Sequence, residues 1–249
     1  MGLIVPFFLL FCYNMSAGDI MRKIALITGV SKGLGRVLAQ TLSKDYDIIG
    51  TYNTDLDGVL TLKENIDNLD YYKVDLCDTE GFIKTIKEKY DHIDLLINNA
   101  ALSLDNEFSY KTKEEFMKVL EVNLVGPFLL IQGLSSIMDN GVIINIGSTD
   151  GIDTYSSINM DYSASKAGLI NLTKSLSLVL DNIRIYCICP NWMDTETIQG
   201  MNPDYLESEM KRIGQRELID PNTIALKVID LVNSNEESGS IIVVEDSYE

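Results

Sequence analysis

The stretch TGVSKGLG, from Thr28 to Gly35, follows the apolar run KIALI and contains three glycines in eight residues. A glycine-rich turn that leads from a strand into a helix leaves backbone N–H groups free at the positive end of the helix dipole. Glycine also lets the backbone approach a bound group closely. The sequence therefore predicts a pyrophosphate site in which Gly29, Gly33 and Gly35 form the turn.

The rest of the chain alternates short runs rich in β-branched residues with longer amphipathic stretches. The short runs are apolar on both faces, which indicates strands that are covered on both sides. This order predicts an α/β fold, a single-domain, Rossmann-like, doubly wound parallel sheet of about seven strands with helices on both faces. The predicted strands are KIALITG, DIIGTYN, YYKVDL, IDLLINNA, GVIINIGS, IRIYCICP and SIIVVED. The predicted helices lie near 33–44, 56–67, 79–90, 113–138, 162–181 and 221–233.

Two segments stand outside this alternation. The apolar run GLIVPFFLLFC near the start is shorter than the roughly 20 residues of a membrane-spanning helix, and it lacks the basic flank of a secretory signal. Because MRKIALITG reads as a natural start, our hypothesis is that the working domain covers 21–249 and that 1–20 is an extension. A weak membrane or partner anchor is the alternative for 1–20. The irregular segment 191–220 is predicted to form a lid over the site.

Composition excludes several classes of partner. The chain has 249 residues and a formal net charge of −17, which disfavours nucleic acid because phosphates repel an acidic surface. The four cysteines form no CxxC pair and His92 is the only histidine, so no metal site is predicted. Without a convincing export signal the expected location is the cytoplasm, and membrane association is not expected.

Six further motifs follow the glycine turn along the chain. They are Asp75 in VDL, Asn98 to Ala101 as NNAA, Asn123 in EVNLVG, Ser148 at the end of INIGS, Tyr162 and Lys166 in YSASK, and Pro190 to Thr195 as PNWMDT. With these motifs the chain, from Met21 to its C-terminus, resembles the compact single-domain branch of the short-chain dehydrogenase/reductase family, and in particular the 3-oxoacyl-carrier-protein reductases. The resemblance implies an oxidoreductase that interconverts a carbonyl and a secondary alcohol by hydride transfer with a nicotinamide cofactor.

A tyrosine and a lysine form the centre of the predicted catalytic set. Tyr162 and Lys166 are four residues apart, so on a helix they share one face, and a nearby ammonium lowers the pKa of a phenol. By resemblance, Tyr162 is the general acid and base, and Lys166 lowers its pKa and binds the nicotinamide ribose. Ser148 donates a hydrogen bond to the carbonyl. Asn123 holds a water that relays protons to Lys166.

The end of the second predicted strand favours NADP(H) over NAD(H). A free ribose 2′-hydroxyl is usually held by an acid there, but Thr51, Tyr52 and Asn53 precede the first acid, Asp55. Lys32 adds a basic group beside the turn. The predicted cofactor-binding set is Gly29, Ser31, Lys32, Gly33, Leu34, Gly35, Thr51, Asn53, Asp75, Leu76, Asn99, Ala100, Tyr162, Lys166, Pro190 and Thr195. The predicted substrate set is Ser148, Tyr155, Tyr162, Asn191 and Trp192.

The sequence departs from the family pattern at two glycines. Ala101 and Asn191 replace them, and asparagine tolerates a left-handed backbone better than most residues. The favoured substrate is a small ketone or aldehyde or a sugar-like molecule. A carrier-protein substrate is the alternative, although no Lys or Arg lies between Lys118 and Lys166 to dock an acidic carrier.

Three further expectations concern class and assembly. A non-catalytic NADP-binding sensor or scaffold on the same fold stays open as an alternative of another class. A sugar-nucleotide epimerase of the extended branch is disfavoured, because GxxGxxG and a longer C-terminal domain are missing. A homodimer or homotetramer is expected.

Overall fold

The computed structural model describes residues 22–246, so the predicted extension 1–20 lies outside the described residues. The strands are β1 (Lys23–Ile27), β2 (Tyr46–Tyr52), β3 (Leu69–Lys73), β4 (Leu95–Asn98), β5 (Val142–Ile146), β6 (Arg184–Pro190) and β7 (Ile241–Val244). The helices are α1 (Gly33–Leu42), α2 (Leu56–Lys63), α3 (Glu80–Lys89), α4 (Lys113–Leu120), α5 (Gly126–Leu134), α6 (Met160–Leu176), α7 (Glu196–Gln199), α8 (Pro203–Ile213) and α9 (Pro221–Asn233).

All seven strands are parallel and lie in the order β3-β2-β1-β4-β5-β6-β7, which confirms the predicted doubly wound sheet. The order reverses between β1 and β4, where Leu26 of β1 pairs with Leu96 of β4. In open sheets of this kind, ligands bind outside the carboxyl ends of the strands at such a reversal. The fold therefore directs attention to the loops that follow β1, β4 and β5.

Helices cover both faces of the sheet, as the doubly apolar strands require. On one face Ile27 lies in a buried cluster with Leu38 of α1 and Val228 of α9. On the other face Leu26 lies in a cluster with Ile86 of α3 and Leu134 of α5. Each fully buried side chain of this size contributes about 1.5–3 kcal/mol. The packing holds the loop ends, and so the site, on a rigid base.

The predicted helix 113–138 is interrupted. Between α4 and α5 the chain forms a π-helical turn, Glu121–Val125, which a search for a 3.6-residue period does not detect. A Cβ on the next residue, Gly126, would lie 2.7 Å from the carbonyl oxygen of Leu76, so the backbone approaches the loop after β3 closely. Within residues 22–246, Lys113–Ile137 is the one helical run apolar and long enough to cross a membrane, a test that core helices also pass.

The segment 191–220 is more regular than predicted, because it contains α7 and α8. The side chain of Asn202 accepts a hydrogen bond from the N–H of Tyr205 at 3.1 Å, and Pro203 occupies the first turn of α8. Gly214, with φ of 76°, ends α8 in the left-handed conformation. The predicted helix 162–181 begins two residues earlier, at Met160, and ends at Leu176.

Candidate active site

The glycine turn lies between β1 and α1 and is shaped for a close neighbour. Gly29 and Gly33 have φ of 73° and 54°, in the left-handed region that favours glycine. A Cβ on Gly35 would overlap the carbonyl oxygen of Gly29, so a larger residue could not stand there. Leu34 is buried in the core, which leaves only its backbone to face the turn. This cradle at a helix N-terminus fits a pyrophosphate.

A carboxylate of the chain itself contacts the turn. The N–H of Gly33 donates to Oε2 of Glu196 at 2.9 Å. Oε1 of Glu196 lies 3.2 Å from Nη1 of Arg36, and Arg36 also donates to the carbonyl of Ser31. An anionic group therefore already lies at the N-terminus of α1, where the helix dipole favours negative charge.

The end of β2 forms hydrogen bonds with the glycine turn. The N–H groups of Gly29 and Val30 donate to the carbonyl oxygen of Thr51 at 3.0 and 2.9 Å. Gly29 also donates to Oγ1 of Thr51 at 3.3 Å. Thr51 is buried, whereas Asn53 is exposed just beyond it. Thr51 thus supports the turn through its backbone and side chain, and Asn53 faces solvent beside it.

Asp55, the first acid after β2, is engaged as the cap of α2. Oδ1 of Asp55 accepts a hydrogen bond from the N–H of Gly58 at 2.9 Å and caps α2. Lys32 precedes α1, is exposed and lines the cleft described below. Next to the glycine turn, Lys32 therefore exposes its ammonium, while Asp55 is engaged elsewhere.

Asp75 and Leu76 follow β3 on the far side of the turn. Oδ1 of Asp75 accepts from the N–H of Cys77 at 3.0 Å, and Oδ2 lies 3.4 Å from the ammonium of Lys118. The hydrogen bond from Cys77 is the main reason why the pKa of Asp75 is lowered. Leu76 is buried. Asp75 is thus an ionised acceptor at the carboxyl end of the sheet.

The NNAA motif binds the loop after β4 to the end of β1. The N–H groups of Asn99 and Ala100 both donate to Oγ1 of Thr28 at 3.0 Å. Nδ2 of Asn99 donates to the carbonyl of Thr28 at 2.8 Å. Ala101 is exposed and lines the cleft. These hydrogen bonds hold the loop after β4 against the end of β1, where the strand order reverses. Asn99 lines the cleft from this position.

Ser148, Tyr162 and Lys166 line the same cleft. Ser148 follows β5, and its Oγ accepts from the N–H of Asp150 at 3.1 Å. Tyr162 and Lys166 lie one turn apart on α6, with the ammonium 5.4 Å from the centre of the tyrosine ring. The ammonium donates to the carbonyl of Ile146 at 2.7 Å. The helix spacing and the end of β5 therefore bring the three side chains together.

The pKa of Tyr162 is raised, whereas the sequence predicted a lowered value. Burial disfavours the phenolate, the carboxylate of Asp150 adds to the effect, and a hydrogen bond with Ser148 only partly opposes them. Burial also lowers the pKa of Lys166 to about 8. In this arrangement the ammonium is directed at Ile146 and does not offset the burial of the phenol.

Asn123 lies in the π-helical turn and fastens a loop. Its Oδ1 accepts from the N–H of Leu102 at 2.7 Å, and its Nδ2 donates to the carbonyl of Leu102 at 2.9 Å and to Oγ of Ser165 at 3.0 Å. Every polar atom of this amide is therefore engaged by the loop after β4 and by α6. The predicted water relay to Lys166 stays a prediction.

The cleft has a volume of about 510 Å³. Pro190, Asn191, Trp192 and Thr195, from the PNWMDT motif, line it together with the three side chains above. Tyr155 is not among the residues that line it and is 72 % exposed on the loop before α6, so its contact with a substrate stays a prediction.

Asn191 does not use the left-handed backbone that asparagine tolerates. Among the described non-glycine residues, only Asn140 has a positive φ. Oδ1 of Asn191 accepts from the hydroxyl of Thr149 at 3.3 Å and from the N–H of Trp192 at 3.1 Å. The side chain therefore stabilises the turn without a left-handed residue.

Sequence reasoning missed several charged and polar side chains of the cleft. They are Asp105, Asp150, Ser156, Asn159, Tyr205, Glu209 and Arg212. One signal was available for Asp150, since it follows Ser148 by two residues. Within the part of the chain that the structure describes, no three His, Cys, Asp or Glu side chains are placed to hold a metal ion.

Comparison with known proteins places this geometry in context. The sequence profile of short chain dehydrogenases matches residues 23–206. The chain is 33 % identical to the 3-oxoacyl-[acyl-carrier-protein] reductase FabG of Buchnera aphidicola subsp. Schizaphis graminum, over 89 % of this chain and 93 % of that protein. It is 29 % identical to the acetoacetyl-CoA reductase of Paracoccus denitrificans, over 89 % and 94 % of the two chains. The crystal structure of the angucycline C-6 ketoreductase LanV with bound NADP is similar with a TM-score of 0.77 and 26 % identity, over 89 % and 93 % of the two chains.

Proposed function

Because the chain belongs to the short chain dehydrogenase family, we propose that it is an NADPH-dependent reductase that converts a small ketone or aldehyde into the alcohol and catalyses the reverse oxidation. One observation carries the proposal. The hydroxyl groups of Ser148 and Tyr162 and the ammonium of Lys166 line a single cleft, and Lys32 lines the same cleft beside the glycine turn. The nicotinamide cofactor supplies the hydride of such a reaction.

The residues of the chain perform the remaining work. Oγ of Ser148 accepts a hydrogen bond from the N–H of Asp150, and its hydroxyl also bonds to Tyr162, so the carbonyl oxygen of a substrate would replace Tyr162 as the acceptor of the Ser148 proton. Tyr162 is protonated at neutral pH because its pKa is raised, and it gives its proton to the developing alkoxide. Lys166, with a pKa of about 8, retains a proton at neutral pH and lies 5.4 Å from the ring. It is the nearby source of a replacement proton.

The proposed cofactor is NADP(H). Asp55, the first acid after β2, caps α2, and the exposed Lys32 offers an ammonium to a 2′-phosphate. The glycine turn would hold the pyrophosphate, and Asp75 and Asn99 would lie on the adenosine and nicotinamide sides. LanV, at 26 % identity, is a ketoreductase with bound NADP, which supports the same choice here.

A second candidate is the reduction of a 3-oxoacyl group on a carrier protein. The 33 % identity with FabG over nearly the whole chain favours it. The net charge of −17 opposes the docking of an acidic carrier. A non-catalytic NADP-binding protein is the remaining alternative, and the presence of Ser148, Tyr162 and Lys166 together opposes it.

The test has two steps. Fluorescence titrations with NADPH and with NADH measure cofactor affinity, and the oxidation of NADPH is then followed with a panel of free ketones and aldehydes and with a 3-oxoacyl carrier protein. We expect Tyr162→Phe to lower kcat by about a hundredfold or more while it leaves the affinity for NADPH unchanged. Tyr155→Phe is the matched control, because that side chain lies outside the cleft.

Each result separates the alternatives. Near-normal turnover by Tyr162→Phe would remove Tyr162 from the chemistry. Faster turnover of the carrier-bound substrate than of every free carbonyl would establish the second candidate. Binding of NADPH without turnover of any carbonyl would favour the non-catalytic alternative.

A further inference from the structure

Three carboxylates line the cleft. Asp105 follows β4, Asp150 follows β5, and Glu209 lies on α8, so three separate elements each bring a carboxylate to the lining. Three cations line the same cleft, namely Lys32, Lys166 and Arg212, and Nη2 of Arg212 lies 2.7 Å from Oε2 of Glu209. The guanidinium is paired with Glu209, and its charge also acts on Asp150, where it opposes the larger effect of burial on the pKa of that carboxyl. Cations and carboxylates are equal in number, so the charge that a substrate meets depends on which of them lies next to it.

Asp150 is the carboxylate that lies beside the reacting groups. Its backbone N–H donates to Oγ of Ser148 at 3.1 Å, and its charge acts on the hydroxyl of Tyr162 strongly enough to help raise the pKa of that group. Oδ1 accepts a hydrogen bond from the hydroxyl of Thr154 at 2.8 Å. Within residues 22–246, Oδ2 accepts no hydrogen bond. One oxygen is thus held in place and the other is left as an acceptor in the cleft.

Burial makes that acceptor selective. Removal from water raises the pKa of Asp150, so the carboxylate has lost part of its hydration before any ligand arrives. A charged acceptor in such a place gains most from a hydrogen-bond donor and repels another anion. Because Asp150 lines the cleft, contacts Ser148 and acts on Tyr162, we expect a substituent next to a carbonyl held by those two hydroxyls to lie within its reach.

We propose that Asp150 determines substrate specificity: the site takes a ketone or aldehyde that carries a hydroxyl or ammonium group next to the carbonyl, and it rejects one that carries a carboxylate there. The inference rests on the proposed reductase function. It assigns to Asp150 a contact with the substrate, in addition to the orientation of Ser148 through its backbone. Asp105 and Glu209 also line the cleft, and their carboxylates add to the same preference.

Four probes with three carbons each test the proposal: acetone, hydroxyacetone, aminoacetone and pyruvate, each at saturating NADPH. We expect kcat/KM to be roughly tenfold or more higher for hydroxyacetone and aminoacetone than for acetone, and lowest for pyruvate. Asp150→Asn should reduce the ratio of aminoacetone to pyruvate by about tenfold or more, since the charge is lost while the size is kept.

Asp153→Asn is the matched control. Asp153 lies on the same loop, is exposed and does not line the cleft, so the same change of charge there should leave the four ratios as in the wild type. The proposal fails if Asp150→Asn and Asp153→Asn give the same ratios, or if the wild type prefers pyruvate.

A binding measurement separates this failure from failure of the reductase function. Ligand-observed NMR compares propanediol with lactate, which are the alcohols of hydroxyacetone and pyruvate, in the presence of NADP⁺. Preferred binding of propanediol that Asp150→Asn abolishes would uphold the selectivity even if no carbonyl were turned over. Equal binding of the two alcohols by the wild type would overturn it.

Discussion

The ammonium of Lys111 lies 2.9 Å from Oδ2 of Asp161, and the two side chains are only 4 % and 0 % exposed. Oδ1 of Asp161 accepts from the N–H of Tyr162 at 3.0 Å, and Lys111 also donates to the carbonyl of Leu104. The buried ion pair therefore joins the start of α6, which carries Tyr162, to the loop after β4, which lines the cleft.

Lys111→Met should destabilise the protein strongly. The substitution leaves the carboxylate of Asp161 buried without its partner, and such a change lowers the free energy of unfolding by about 3–5 kcal/mol. Urea unfolding measures the loss. Lys113→Met is the control, because Lys113 is exposed at the start of α4 and its replacement should change stability by about 0.5 kcal/mol or less. Equal stability of the two variants would contradict a structural role for the pair.

The oxidation of an alcohol should accelerate as pH rises. Tyr162 must be a phenolate to accept a proton, and burial together with Asp150 raises its pKa, so the reactive form is scarce at neutral pH. Asp150→Asn removes one cause of the raised value, and the rise in kcat/KM for oxidation should therefore move to lower pH. Profiles of the wild type and Asp153→Asn should coincide. A profile of Asp150→Asn that coincides with them would show that Asp150 does not influence Tyr162.

Lys166 should make stability depend on pH. Its folded-state pKa is about 8 against an ordinary value of 10.5, so between these values the unfolded chain binds more protons and the free energy of unfolding rises with pH. The effect amounts to roughly 3 kcal/mol across the window. Lys166→Met should gain stability relative to the wild type below pH 8 and lose that advantage toward pH 10.5. Lys174→Met, an exposed change on the same helix, should show a constant difference from the wild type. A constant difference for Lys166→Met as well would contradict the prediction.

Lys32→Ala should weaken NADPH binding more than NADH binding. Only NADPH carries the 2′-phosphate that an ammonium at this position would contact, and loss of one such charged contact corresponds to about tenfold in affinity. Fluorescence titration with each cofactor measures the ratio. Lys44→Ala serves as the control. Lys44 is exposed and precedes β2, so it lies at the amino end of the strands, away from the glycine turn. An equal loss for both cofactors would remove Lys32 from the 2′-phosphate site.

Gly35→Ala should damage the protein far more than Gly81→Ala. A Cβ at Gly35 would overlap the carbonyl oxygen of Gly29, whereas a Cβ at Gly81 meets nothing within 4 Å. We expect a loss of about 2 kcal/mol or more for the first variant and a change of about 0.5 kcal/mol or less for the second. Thermal unfolding compares the two. Comparable melting temperatures would mean that the turn relaxes easily.

The architecture could be predicted because its determinants are local. Leu26 and Ile27 lie in an unbroken apolar run, and each faces a different helical layer, as the run implies. Tyr162 and Lys166 could be assigned to one surface from their spacing on a helix. Their place beside Ser148 was implied by the resemblance to the short-chain dehydrogenase/reductase family.

The electrostatics of the site depend on tertiary structure and could not be predicted. Asp150 reaches Tyr162 only because the chain after Ser148 forms a tight turn, Thr149–Gly151, that points it into the cleft. Glu209 arrives from a helix more than forty residues further along the chain. Burial is the largest cause of the raised pKa of Tyr162, and it arises only when all the surrounding elements have packed together.

The hydrogen bond between Gly33 and Glu196 must break before a pyrophosphate can bind at Gly33. A pyrophosphate that takes the N–H of Gly33 displaces a carboxylate held at 2.9 Å, so one anion is exchanged for another. Glu196 begins α7, and only the short link after Gln199 separates α7 from α8, which carries Glu209 and Arg212 into the cleft. Binding of a pyrophosphate at Gly33 would therefore release the start of α7 from the turn and leave Glu196 paired with Arg36.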